Sequence, residues 1–157
     1  MTNEINPQNQ INFGGVQVNQ NEIASKKVVK ENGATRYIIN FKNGTTIKYP
    51  AQKKTNESRI KTNQREFFSS TSLSNLAYGE ITGNPNDKDL IIMHGCNSCK
   101  IDLSNDNNAD TVSLWDKVGH KGSSKNNQIK MGKEDEAELN DKNTLVKGEG
   151  LHIEGQK

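Results

Sequence analysis

The residues best suited to chemistry sit together at His94-Gly95-Cys96-Asn97-Ser98-Cys99. A Cys-x-x-Cys spacing brings two thiolates within reach of one tetrahedral ion. His94 or His120 would add ring nitrogens, so zinc is the metal of this reading. A structural zinc site usually draws its ligands from paired clusters, and a second Cys-x-x-Cys is absent. Redox pairs share the spacing, but their first thiol is acidified by a helix N-terminus. Here the segment joins two apolar stretches of strand character. The plainer expectation is therefore a pair of small buried thiols at a corner of the chain, with no cofactor.

Other candidates are weaker. Asp102, Asp106 and Asp110 have a spacing suggestive of a calcium loop. Calcium wants about six to eight oxygens, and the Gly-Gly-x-Gly-x-Asp repeat of calcium-binding rolls is missing. Solvated turn carboxylates are the expectation, and Glu134, Asp135, Glu136 and Glu138 read as a solvated face in the same way. Trp115 is the single tryptophan, and alternation from Val112 and Leu114 sends it outward beside a Gly/Ser loop over residues 117–126. With Asp116, Lys117, His120 and Lys121 it makes the expected contact site for a protein or glycan, because Trp joins large apolar area to a polar edge. No Gly-x-Ser-x-Gly elbow and no phosphate loop occurs. A non-enzymatic role is expected.

Short strands must position these residues. Apolar pairs separated by one residue return about every eleven positions: Leu90/Ile92, Ile101/Leu103, Val112/Leu114, and after a break Ile129/Met131 and Leu151/Ile153, with Leu139 out of step. Alternate side chains share one face of a pleated strand, so each doublet is expected to point inward. The fold class is all-β, with a short parallel β-solenoid-like region over residues 67–157; an antiparallel sandwich or meander is the alternative. Phe67, Phe68, Leu73, Leu76 and Tyr78 are candidates to cap that array.

Ahead of it, residues 1–10 read as a disordered tail and 11–50 as an antiparallel meander. Asn32-Gly33 and Asn43-Gly44 each mark a hairpin. Tyr37, Ile39 and Phe41 share one face there, with Val29, Ile47 and Tyr49 opposite. Residues 51–66 are polar and read as a linker.

Composition agrees with a thin interior. Leu, Ile, Val and Phe number 32 of 157, near the roughly 20% level at which chains lose order, yet the net charge is only +2. One or two inward residues per strand can be supplied from this stock, and 22 asparagines suit the turns. The near-neutral balance gives no nucleic-acid signal. The longest apolar run spans 90–93, where a membrane helix needs about twenty residues, and the first residues lack signal-peptide character. Synthesis in the cytoplasm is expected, with leaderless export open. Exposed strand edges point to a homo-oligomer.

Overall fold

The computed structural model describes residues 9–53, 57–64, 66, 68–104, 108–115, 124–132, 134–139, 143–147 and 151–154. The strands are β1 (Gln10–Phe13), β2 (Val16–Asn19), β3 (Ile23–Glu31), β4 (Ala34–Phe41), β5 (Thr46–Tyr49), β6 (Arg59–Gln64), β7 (Phe68–Ser74) and β8 (Glu80–Thr82). They continue with β9 (Lys88–His94), β10 (Lys100–Asp102), β11 (Thr111–Trp115), β12 (Gln128–Lys130), β13 (Glu136–Leu139), β14 (Thr144–Lys147) and β15 (Leu151–Glu154). One sheet has the order β1-β2-β6-β7-β9-β11-β13-β15 and the other β14-β12-β10-β8-β5-β4-β3. The protein is all-β, with two mixed sheets. Among the described residues no helix is long and apolar enough to cross a membrane.

From β7 onward successive strands alternate between the two sheets, and those within each sheet pair in parallel. That is not the pattern of an antiparallel sandwich. Antiparallel contacts join the stack to the rest: β5 pairs with β8, and β6 with β7. The stretch expected as a linker therefore supplies a strand. Ile60 and Thr62 face inward between exposed Arg59, Lys61 and Asn63, so alternation survives in a segment whose polarity hid it. Likewise, 68–74 is the first parallel strand of the stack and not a cap beyond it.

The Asn32-Gly33 turn has both residues at positive φ (54° and 82°), as a two-residue hairpin demands. It fixes Glu31 opposite Ala34 and so Val28, not Val29, opposite Tyr37. The Asn43-Gly44 connection is one residue longer than the expected turn. Phe41 N–H bonds Thr45 O (2.9 Å), and buried Asn43 donates to Ser70 O (2.9 Å) and Thr71 Oγ1 (3.1 Å), tying the hairpin to the stack. The meander's inner face is covered by Phe13, Val16, Val18 and Ile60.

One expected doublet is corrected. Ile91 and Met93 are buried while Leu90 and Ile92 are half-buried on the outer face. A run of four apolar residues offers two phases of alternation. Asp89 shares the inward face with Ile91 and Met93, and its carboxylate there accepts from the Ser69 hydroxyl and Asn84 N–H. The doublets Ile101/Leu103, Val112/Leu114 and Ile129/Met131 do point inward. The side chains of Leu139, Leu151 and Ile153 lie outside the described residues.

Candidate functional site

The connections between the two sheets share a backbone device. After β7 the chain enters the left-handed region at Asn75 (φ 54°) and again at Tyr78 (φ 60°); after β9 it does so at Gly95 (66°) and Ser98 (57°), and before β12 at Asn126 (59°). Each corner hydrogen-bonds the next. Asn75 N–H reaches His94 O (2.9 Å), Asn97 N–H reaches Leu76 O (3.0 Å), Tyr78 N–H reaches Asn97 O (3.1 Å), and Ser98 N–H reaches Lys125 O (3.1 Å).

Two positions per corner point inward, and these hold the thiols. Cys96 and Cys99 are free and buried. Cys99 Sγ lies 3.4 Å from Leu76 O, and Cys96 Sγ 3.6 Å from Leu73 O, both as donors. Below them Asn127 accepts from Cys99 N–H (2.9 Å) and donates to Cys96 O (3.0 Å) and to Asn143 Oδ1 (2.8 Å). Asn143 in turn donates to Ser124 O (3.1 Å). The Cys-x-x-Cys spacing thus equals the spacing between the two inward positions of a corner. The Cys99 thiol is pushed well up, first by its hydrogen bond with Cys96 and then by burial, which opposes the thiolate that a metal or a redox step requires.

His94 is exposed at the end of β9, on the side of the strand opposite Met93. Among the described residues no three His, Cys, Asp or Glu side chains converge as a metal site. Trp115 ends β11 opposite His94 in the parallel register; its side chain, and Asp116, Lys117, His120 and Lys121, lie outside the described residues. Of the expected calcium ligands two are described. Burial would raise the Asp102 carboxyl, but the Ser104 hydroxyl (2.6 Å) and N–H (2.9 Å), with Lys130 nearby, hold it below the ordinary range. Asp110 is fully buried and accepts from Asp89 N–H (2.7 Å). Asp106 lies outside the described residues.

The feature with binding geometry is a cleft of about 260 Å³ on the first corner, where Gln52, Lys53, Ser58, Asn75, Tyr78 and Asn97 are among the lining residues. Its wall is rigid. The Gln52 amide pairs with Ala77 as a neighbouring strand would, accepting from its N–H (2.9 Å) and donating to its carbonyl (3.0 Å). Ser58 Oγ donates to Asn75 O (2.7 Å), and Asn75 Nδ2 to Glu57 O (3.1 Å).

Tyr78 stands at the rim, 64% exposed. A bulky residue in the left-handed region is an outlier costing about 1–2 kcal/mol; the equivalent positions hold Ser98 and Asn126. Sequence reasoning took Tyr78 for apolar packing. Superposing 75–79 on 95–99 would have exposed it, because a tyrosine occupies a place filled elsewhere by turn residues. No family model matches this chain, and no curated protein or solved structure matches it.

Proposed function

We propose that this chain is a non-enzymatic binding protein: a short β-solenoid, continued at one end by the meander, that offers the Tyr78 cleft to a glycan and associates with copies of itself. The solenoid reading is supported by strands that alternate between two sheets while pairing in parallel within each. The binding reading rests on Tyr78, whose ring gains little packing at 64% exposure although its backbone is held in a disfavoured region. Strain of this kind collects at functional sites. An exposed ring beside amides suits a sugar, with one apolar face and hydroxyls at its edge. At about 260 Å³ the cleft is smaller than the roughly 300–1,000 Å³ of drug-sized sites, which fits one ring and not a long segment.

A glycan array probed with the full chain and with Tyr78→Gly tests this. The expected result is a signal lost in the variant while its stability rises by about 1 kcal/mol, because glycine removes the left-handed penalty. Trp115→Ala serves as the parallel test of the other aromatic. A glycan signal unchanged by Tyr78→Gly would refute the cleft, and an array with no signal would turn the search to protein partners.

A further inference from the structure

Two rows on the outer face of the eight-stranded sheet have a pattern that matches itself after a half-turn. In one row the register runs Lys61, Ser72, Ile92, Ser113, Glu138 across β6, β7, β9, β11 and β13; in the next it runs Asn63, Ser70, Leu90, Thr111, Glu136. Leu90 and Ile92 are half-buried at the centre, hydroxyl side chains flank them on both sides, and none of these six is charged. Lys61 stands two strands to one side of the centre and Glu138 two strands to the other. Each lies about 9–10 Å away at an inter-strand spacing of about 4.8 Å.

We infer that this face is a two-fold interface between two copies of the chain, with the axis along β9. The inference rests on the self-association in the proposed function and specifies where it occurs. Rotation about that axis lays Leu90 and Ile92 on their own copies, Ser72 over Ser113, and Lys61 over Glu138 twice, by symmetry. Asn63 meets Glu136, so an amide donor faces a carboxylate. An isologous contact requires such self-complementarity, and apolar residues at the centre with charges at the rim is the usual anatomy of an interface. An in-plane axis perpendicular to the strands would keep each strand over its own copy and set the β13 carboxylates Glu136 and Glu138 against one another; the axis along β9 avoids this, with Lys88 and His94 of the two copies meeting at the ends of the apolar pair. From strand spacing and rise the ten positions cover about 320 Å² per copy, below the usual size of stable specific interfaces, so the dimer is weak and reversible.

Sedimentation velocity across a concentration series, on the full chain, is the test. The wild type is expected to dimerise with concentration, Ile92→Lys to remain monomeric, and Lys61→Glu to weaken the dimer at least tenfold. Lys61→Glu combined with Glu138→Lys should restore it to within about threefold, since the pair is re-formed with signs exchanged. Far-UV circular dichroism checks that the variants fold, as expected for outer-face positions. A wild type that dimerises while none of these substitutions alters its affinity overturns this interface and leaves self-association standing. A wild type that is monomeric at every concentration overturns both.

Discussion

Around the meander the interior holds a cluster of rings beside Ile39 and Ile47, whereas between the parallel strands the described core has aliphatic doublets interleaved with polar columns and no buried ring. Phe13 meets Tyr37 edge-on at 5.1 Å, Tyr37 stacks on Tyr49 at 5.8 Å, and the Tyr49 hydroxyl donates to Phe13 O (2.6 Å). From β7 onward the buried apolar side chains are Ile, Leu, Val, Met, Ala and Cys, alongside Ser69, Thr71, Asn84, Asp89, Asp110, Ser124, Asn127, Asp135 and Asn143. The hairpins satisfy most of their own main chain, and the buried polar side chains there are few, Asn43 and Thr45 at one turn. Where the parallel strands pass between the two sheets, main-chain N–H groups are left at the connections, and each buried one needs an acceptor. The side chain of the next strand in the sheet provides it: Asp89 N–H donates to Asp110 Oδ1 (2.7 Å) and Asp110 N–H to Asp135 Oδ1 (2.8 Å), while the Ser69 hydroxyl donates to Asp89 Oδ1 (2.7 Å) in the same direction. The polarity of this chain is partly the composition of its core.

The inner phase of the stack is the first thing to break. Ile91→Ala should cost about 2–5 kcal/mol, as deletions at buried aliphatic sites do, and its half-buried neighbour Ile92→Ala below about 1 kcal/mol. Denaturant unfolding of the two variants measures this. Equal costs would mean that the inner and outer faces of β9 have been assigned wrongly, taking the outer-face interface with them.

Next comes the contrast between polar groups in the two regions. Asp110→Ala removes the acceptor of Asp89 N–H and should cost about 1–3 kcal/mol, the penalty of a buried donor left without its bond. Asp110→Asn keeps an oxygen there and should cost less than half as much. Tyr49→Phe deletes a single hydroxyl from the ring cluster, with an expected loss of about 1 kcal/mol. If Tyr49→Phe proved costlier than Asp110→Ala, the polar columns would be incidental and the meander's hydroxyl would matter more.

Much of this arrangement could be read in advance, for identifiable reasons. Asn32-Gly33 announces its hairpin because both residues must take positive φ. Ile101/Leu103, Val112/Leu114 and Ile129/Met131 announce inward faces because polar residues flank them. At 90–93 four apolar residues in a row erase that contrast, and β6 is hidden because one of its two inward residues is Thr62. The columns were illegible for a deeper reason. Asp110 looks like a turn carboxylate in sequence, and only the pairing of β9 with β11 shows that it serves the main chain of another coil. Tyr78 was visible as an aromatic but not as an exposed one, since its orientation follows from a corner backbone whose repeat becomes evident only when the coils are aligned.

The smallest effect concerns the corner thiols and the reading of Cys96 and Cys99 as buried packing groups. Cys99 is held neutral by its bond with Cys96 and by burial, so its folded value exceeds that of the unfolded chain, about 8.5. A thiol raised in this way contributes stability that is fully present below that value. The contribution is lost as pH rises, because the unfolded state releases the proton first, at up to about 1.4 kcal/mol per pH unit. Unfolding midpoints at pH 7 and 9.5 should therefore diverge more for the wild type than for Cys99→Ala. The buried Tyr49 phenol is also raised, by burial and then by Tyr37, but its window opens only near pH 10. If Cys99 were instead a thiolate at neutral pH, as a metal or redox role needs, the sign would reverse. The wild type would then gain stability relative to Cys99→Ala as pH rises from the folded value toward 8.5, and native thiol titration at pH 7 would be fast instead of waiting on unfolding.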